Sequence, residues 1–371
     1  MKILLLSTGG KIGGEETFTL NLARELMTGG HDVEVAYGGE IQRQNLEKNG
    51  ISVCPVDITS RSAFGIIKAA KKLAHYAADR HFDVVHAQAI GPALMGLMAK
   101  RLYKCRVPWI WHNHGITDFA YKHIVKHLNG LDLIIANSDY VKETLKGHGV
   151  KAEKIKRIHN GINYNDFKAS GEEKITNRKS LCKEIGLRET DFLSIYVGRL
   201  SPEKGVEVFL EGFEKFFANN KNAQCILVGD GVQKNELLTQ IDGYKSKNNI
   251  HLLGFRSDIR QLVSGCDALV LPSHIETFSL TALQAFASGT VCVATDVGGT
   301  PEQILDKFSG ILFPDNDVDA LAGALQSLKD DREYSLYLAD NARRLSENYL
   351  NAARMTADIV KVYNDLKKSK I

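Results

Sequence analysis

The segment VGRLSPEKG, residues 197–205, sets two cations, Arg199 and Lys204, in a turn that follows an apolar strand-like run and Gly198. Cations in such a turn, beside the start of a helix, neutralise an anion such as a diphosphate. Taken alone, an Arg and a Lys five residues apart are more often two solvated surface charges; the strand–turn–helix setting favours the site. A second segment, SHIETFSLTALQAFASG (273–289), puts one acid, Glu276, ahead of an apolar run that Thr281, Gln284 and Ser288 interrupt at helical spacing. Ser279 reads as the N-cap of that helix and Gly289 as its stop. The amides around Thr277, Phe278, Ser279 and Leu280 would then point at an anion. On this reading Glu276 accepts hydrogen bonds from substrate hydroxyls, and Gln284 faces a polar ligand deeper along the helix. The plainer alternative makes Glu276 a cap and leaves Gln284 in solvent.

Other positions carry less weight singly. Gly229 and Gly231 of GDG follow the run QCILV; they permit close approach of backbone to a ligand, or merely a turn. WHNHG places His112 and His114 on one side of a strand end. With no third ligand nearby, a metal site is poorly supported, and a single histidine, His114, reaching the site is preferred. Gly13 and Gly14 precede a helix with early acids Glu15 and Glu16, in the spacing GGxxGG. That is not the GxGxxG of a dinucleotide site. Glu302 in VATDVGGTPEQI reads as an acid at a helix start, and Asp315–Asp317 as a turn and cap. No metal and no cofactor is expected.

The elements that must hold these residues alternate between strand and helix. Runs such as KILLLS, DVEVAY, DVVHA, WIWHN, LDLIIA, FLSIYV, QCILV, DALVL and TVCVA are separated by helical patterns, for example over 17–27. This is the grammar of parallel sheets covered on both faces. A polar stretch, KASGEEKITNRK (168–179), interrupts it before the pattern restarts. We therefore expect an α/β protein of two Rossmann-like halves, with the boundary near 166–173. A cleft between the halves would hold ligands at the C-terminal ends of the strands.

The chain of 371 residues is too long for one small core. Its six cysteines include no CxxC pair, which argues against a disulfide framework and for a reducing cytoplasm. No apolar run approaches the ~20 residues of a spanning helix. The N-terminal MKILLLSTGG reads as a first strand rather than a signal peptide. Residues 1–170 hold 23 Lys and Arg against 16 Asp and Glu, whereas residues 171–371 hold 24 against 28. The basic excess includes Lys68, Lys71 and Lys72 beside Ile66 and Ile67, and Arg101, Lys104 and Arg106 near Tyr103 and Trp109. These clusters suggest weak contact with an anionic membrane, against the alternative of ordinary solvated helix surface.

The ordered set of segments resembles the retaining nucleotide-sugar glycosyltransferases of family 4. It runs from the N-terminal GG through FDVVHA, PWIWHNHG, IANS, HNGINYNDF, VGRLSPEKG, LVGDG, HLLGF, CDALVLPS and ETFSLTALQAFASG to VATDVGG. The resemblance spans nearly the whole chain. It implies the GT-B architecture of two facing Rossmann-like domains: an acceptor-side domain over 1–168 and a donor-binding domain over 169–351. A C-terminal helix near 352–371 would cross back onto the first domain.

The resemblance also implies roles. Arg199 and Lys204 hold the donor diphosphate in place of a metal, with Gly198 in the same turn. Glu276 contacts the donor sugar, and the amides of Thr277, Phe278, Ser279 and Leu280 lie near sugar and phosphate. His114 contacts the sugar or positions the reacting centre. Gly13 and Gly14 let the first domain approach the diphosphate, and Phe255 and Arg256 meet the nucleobase. The family usually carries a second Glu where this chain has Gln284, so the grip on the ribose hydroxyls is altered. The implied activity is transfer from a nucleotide sugar, UDP favoured and GDP possible, to a saccharide or lipid-linked acceptor in cell-envelope polysaccharide or lipopolysaccharide synthesis. Alternatives are a GT-B sugar-nucleotide epimerase and a non-catalytic sugar-binding module. Neither nucleic acid nor a spanning segment is expected, and the place expected is the cytoplasm or the inner face of the membrane.

Overall fold

The computed structural model describes residues 1–8, 14–38, 44, 46–60, 62–115 and 123–368. The chain divides into two compact units, Met1–Gly161 with Ala352–Ile371, and Ile162–Asn351.

The first unit is built on β1 (Lys2–Ser7), β2 (Asp32–Tyr37), β3 (Ser52–Cys54), β4 (Val84–Ala87), β5 (Trp109–Asn113), β6 (Leu133–Ala136) and β7 (Ile155–Arg157). All pair in parallel, in the order β3-β2-β1-β4-β5-β6-β7. β1 is buried over Ile3–Ser7, as a strand covered on both faces must be. Helices α1 (Gly14–Thr28), α2 (Ala63–Asp79) and α3 (Ile90–Tyr103) follow β1, β3 and β4. Trp109, set beside Arg106 in the sequence, is fully buried; its ring fills the space a side chain at Gly96 would need. It belongs to the core, which removes it from the basic surface cluster expected around it.

The second unit repeats the plan. Strands β8 (Phe192–Val197), β9 (Ala223–Val228), β10 (Ile250–Gly254), β11 (Ala268–Leu271), β12 (Val291–Thr295) and β13 (Ile311–Phe313) run parallel in the order β10-β9-β8-β11-β12-β13. Helix α4 (Val206–Asn219) follows β8, and α5 (Leu280–Ser288) follows β11. The polar stretch over 168–179, which reads as a linker, folds instead into the helix Gly171–Ile185. Ser170 and Glu173 form a capping box, closing its first turn. Arg178, held by Asp267 and the Gly265 carbonyl, ties the helix to this unit. The last helix, α6 (Ala352–Lys368), belongs to the first unit. Its Tyr363 hydroxyl lies 2.6 Å from His86 Nδ1, and Lys367 pairs with Asp83 at 2.7 Å.

In both sheets the order reverses beside the first strand, between β1 and β4 and between β8 and β11. Doubly wound sheets place ligands outside the C-terminal ends of the strands at such a point.

Candidate functional site

In the second unit β8 ends at Val197, and Gly198 opens the loop to α4. Lys204 closes a single 3-10 turn, Pro202–Lys204, before Gly205, whose φ is 60°. A side chain on Gly205 would strike the Pro272 carbonyl, so glycine lets this loop pack on the one after β11. His274 N donates to Glu203 O at 3.1 Å across the same seam. The result brings Lys204 and Glu276 together: Nζ donates to Oε2 at 2.8 Å, with the two side chains 22% and 14% exposed. Arg199 is far more open, 75% exposed, and pairs with Glu203 at 3.0 Å. Each cation thus already has a carboxylate partner, which an arriving phosphate would have to replace.

Gly229 and Gly231 pack against that loop. A Cβ on Gly229 would strike the Gly198 carbonyl, and one on Gly231 the Leu200 carbonyl. Gly229 also has a φ of 138°, which only glycine adopts readily. The pair has a structural duty that is independent of any ligand.

Helix α5 begins as expected. Ser279 caps it by accepting from Ala282 N, and Gly289 ends it in the left-handed conformation. Leu283, Phe286 and Ala287 are core, while Leu280 is only half-buried. Phe278 is core as well, so its contribution toward a ligand is limited to the backbone. Ser279 N and O are both taken by the buried Gln303 side chain, at 3.0 and 2.6 Å. Thr277 N donates to Glu276 Oε1 at 3.1 Å. Gln284 is half-buried on α5, and no hydrogen bond of its side chain is found among the described residues. Ser288 does not continue a ligand-facing stripe: it is buried and donates to Ala285 O. Glu302 ends the 3-10 turn Thr300–Glu302 rather than starting a helix.

In the first unit, Gln88 and His114 lie just past the adjacent strands β4 and β5 and meet at 2.9 Å. His112 and His114 stack at 4.3 Å, and Phe18 of α1 lies 4.3 Å from His114. This burial pushes the His114 pKa down to about 3, so the ring is neutral. Gly14 starts α1. In the first turn of that helix, burial raises the Glu15 carboxyl to about 7, partly offset by the Ser7 hydroxyl it accepts from at 2.8 Å. Gly13 lies outside the described residues.

Residues 177–345 match the family described as Glycosyl transferases group 1, and residues 12–166 match Glycosyltransferase Family 4. The chain is a family 4 glycosyltransferase. The transferase has the GT-B architecture, two Rossmann-like units with parallel sheets. It is 28% identical over 301 residues to the UDP-Gal:alpha-D-GlcNAc-diphosphoundecaprenol alpha-1,3-galactosyltransferase of Escherichia coli, covering 77% of this chain and 76% of that one. It is 26% identical over 368 residues to the N-acetyl-alpha-D-glucosaminyl L-malate synthase of Bacillus anthracis, covering 96% and 94%. The fold matches that of Anabaena HepE in complex with UDP and glucose, with a TM-score of 0.86 and 24% identity over 98% of this chain and 99% of that one.

Two features of the transferase depart from the expected site. Arg256 does not extend freely toward a base. Its guanidinium grips Asp258 with two hydrogen bonds, 2.8 and 2.6 Å, and also pairs with Glu184. Those partners hold its pKa above the ordinary range. Phe255 beside it is 63% exposed, which leaves the ring as the better candidate to lie against a base. The second feature is His274, whose Nδ1 lies 2.7 Å from Asp315 and Nε2 3.0 Å from Glu207. Both partners are acceptors, so both ring nitrogens must carry protons. Burial alone would lower the His274 pKa, but the two hydrogen bonds outweigh it and raise it. Asp315 therefore does more than make a turn, while Asp317 caps its helix as expected. His274, Gln88 and Gln303 carried no motif signal, because their partners lie far away in sequence.

Proposed function

We propose that this transferase is retaining and metal-independent. It moves a sugar from a nucleoside-diphosphate sugar, with UDP favoured and GDP possible, to a glycan or lipid-linked saccharide in cell-envelope polysaccharide or lipopolysaccharide synthesis. The observation that carries the reading is the Lys204–Glu276 pair beside the β8/β11 switch point. It sets a cation for phosphate next to an acid for sugar hydroxyls. The E. coli relative is a UDP-Gal galactosyltransferase and HepE is in complex with UDP, which supports the choice of base.

When the glycosidic bond breaks, charge builds on the departing diphosphate, and stabilising that charge is the main catalytic need. Lys204, Arg199 and the first-turn amides of α5 supply it. Glu276 orients the donor sugar; the family resemblance gives His114 a contact with the sugar and Gly14 close approach of backbone to the diphosphate. Phe255 lies against the base, and Gln284 takes the ribose hydroxyls. The departing phosphate takes the acceptor proton, as the family resemblance implies, so no side chain is assigned as general base.

The test is a screen of UDP-, GDP- and ADP-sugars for thermal stabilisation, followed by transfer assays with and without EDTA. Stabilisation by UDP-sugars and transfer that survives chelation are expected. Loss of transfer with EDTA and its return with magnesium or manganese would sink the cationic account.

The surface of the first unit supports a peripheral membrane contact. Phe64, Ile67, Lys68, Lys71 and Lys72 recur at helical spacing on α2 and are all exposed, Phe64 by 78%. Leu102 and Arg101 are exposed at the end of α3, which packs on α2. An apolar tip flanked by lysines suits an anionic leaflet. No described helix is long and apolar enough to cross a membrane.

A further inference from the structure

We propose that His274 is a positioning residue for transfer: its imidazolium, bridging Glu207 and Asp315, holds the loop that carries Glu276 against the turn that carries Lys204. The Lys204–Glu276 pair is set in place while the ring is charged and loosens when the ring loses a proton. The consequence for transfer rests on the roles given to Lys204 and Glu276 above; the seam itself stands on geometry.

His274 lies three residues past β11 and two before Glu276. Its loop is anchored on two flanks. On the β12 side the Ser273 carbonyl accepts from Thr295 Oγ1, and the Glu276 carbonyl accepts from Gly299 N at 3.0 Å. On the α4 side His274 supplies the anchors. Its N donates to the carbonyl of Glu203, one residue before Lys204, at 3.1 Å. Its Nε2 lies 3.0 Å from Glu207 Oε1 in the first turn of α4. Its Nδ1 lies 2.7 Å from Asp315 Oδ1, just past β13. A Cβ on Gly205, between Lys204 and α4, would crowd His274 Nε2 at 3.3 Å. One side chain thus ties the Glu276 loop to α4 and to the end of β13, beside Lys204.

Both ring partners are carboxylates, which accept and do not donate when ionised. A neutral imidazole has one N–H, so it satisfies one carboxylate and turns a lone pair on the other. Loss of the proton breaks one link and sets acceptor against acceptor. Charged groups on the adjoining turn and on the same loop are already paired, Glu203 with Arg199 and Lys204 with Glu276. Burial lowers the His274 pKa, and the bonds and charges of Glu207 and Asp315 outweigh it, for a net rise. The ring is therefore charged below about pH 6.5 and is lost as a cation when pH rises through the folded value. Stabilising charge on a departing phosphate depends on groups fixed in advance, so a loosened seam lowers the rate.

Nitrogen-15 NMR of the full chain reads the ring, with His274 assigned through its loss in His274→Asn. An imidazolium is expected at about pH 6.5; a neutral ring there would overturn the proposal. Transfer from UDP-sugars is then followed from about pH 6 to about pH 9. Wild-type kcat/KM should fall about tenfold toward the alkaline end. Asp315→Asn removes a charge that favours the imidazolium and should move the fall to lower pH. His274→Lys keeps a cation throughout and should flatten the profile. His274→Asn should show the low value at every pH. Superimposable profiles for wild type, Asp315→Asn and His274→Lys would overturn the proposal and leave the transfer reading intact. Hydrogen exchange supplies a readout that needs no turnover. The amides of His274 and Gly299 should exchange about tenfold faster in His274→Asn than in wild type at matched pH. If no nucleotide sugar is turned over, faster exchange in the variant keeps the seam and defeats the transfer reading, whereas unchanged exchange overturns the seam as well.

Discussion

Lys204 Nζ donates to Glu276 Oε2 at 2.8 Å, so the cation for phosphate and the acid for sugar hydroxyls satisfy one another. The pair joins two loops, one after β8 and one after β11. It holds both groups in place, at the cost that a donor must exchange this bond for its own.

Removing either partner should therefore affect both stability and rate. Lys204→Ala strands a carboxylate that is only 14% exposed, and should lower unfolding stability by on the order of 1 kcal/mol. The double variant Lys204→Ala with Glu276→Ala should recover part of that loss, and a double-mutant cycle in urea measures it. In transfer assays Lys204→Ala should cost about 100-fold in kcat/KM. Lys215→Ala, which breaks an exposed pair with Asp319, serves as the control and should change little.

Gln284→Glu should tighten nucleoside-diphosphate binding by about tenfold or less. A hydrogen bond to a charged group exceeds a neutral one by on the order of 1 kcal/mol. If the gain is equal in ground and transition states, KM falls and kcat stays put. Calorimetry with UDP on both forms, with a melting curve for each, checks this. Unchanged affinity at unchanged stability would mean that Gln284 does not face the nucleotide.

The His274 bridge makes the second unit's stability depend on pH. Its folded pKa is raised above 6.5 by Glu207 and Asp315, against the opposing effect of burial. The contribution is therefore complete below about pH 6.5 and is lost as pH rises through the folded value. His274→Asn should flatten the fall in urea midpoint between about pH 6 and about pH 9. A wild-type midpoint that does not fall over that range would contradict the doubly protonated ring.

Flotation with liposomes should depend on anionic lipid and weaken with salt, since each basic residue near such a surface contributes ~1 kcal/mol and is screened. Phe64→Ser should weaken it further at constant charge. Binding that is indifferent to lipid charge and to salt would remove the membrane contact.

The sequence by itself determined the fold. Buried parallel strands are apolar throughout, and runs such as KILLLS and DALVLPS announce themselves whatever surrounds them. Ser279 and Gly289 fixed α5 for a similar reason: caps are local chemistry. The short edge strands Ser52–Cys54, Ile155–Arg157 and Ile311–Phe313 went unseen, because three residues carry too little pattern. The stretch over 168–179 was misread because its helix is polar on the surface and buries little beyond Leu181 and Cys182. The state of each site residue was decided only by the tertiary structure. Whether Arg256 is open or held and whether His274 carries one proton or two depend on Asp258, Glu184, Glu207 and Asp315. Apart from Asp258 beside Arg256, those partners arrive from other elements. Side-chain charge and tautomer are set by neighbours in space, and local sequence records neighbours along the chain.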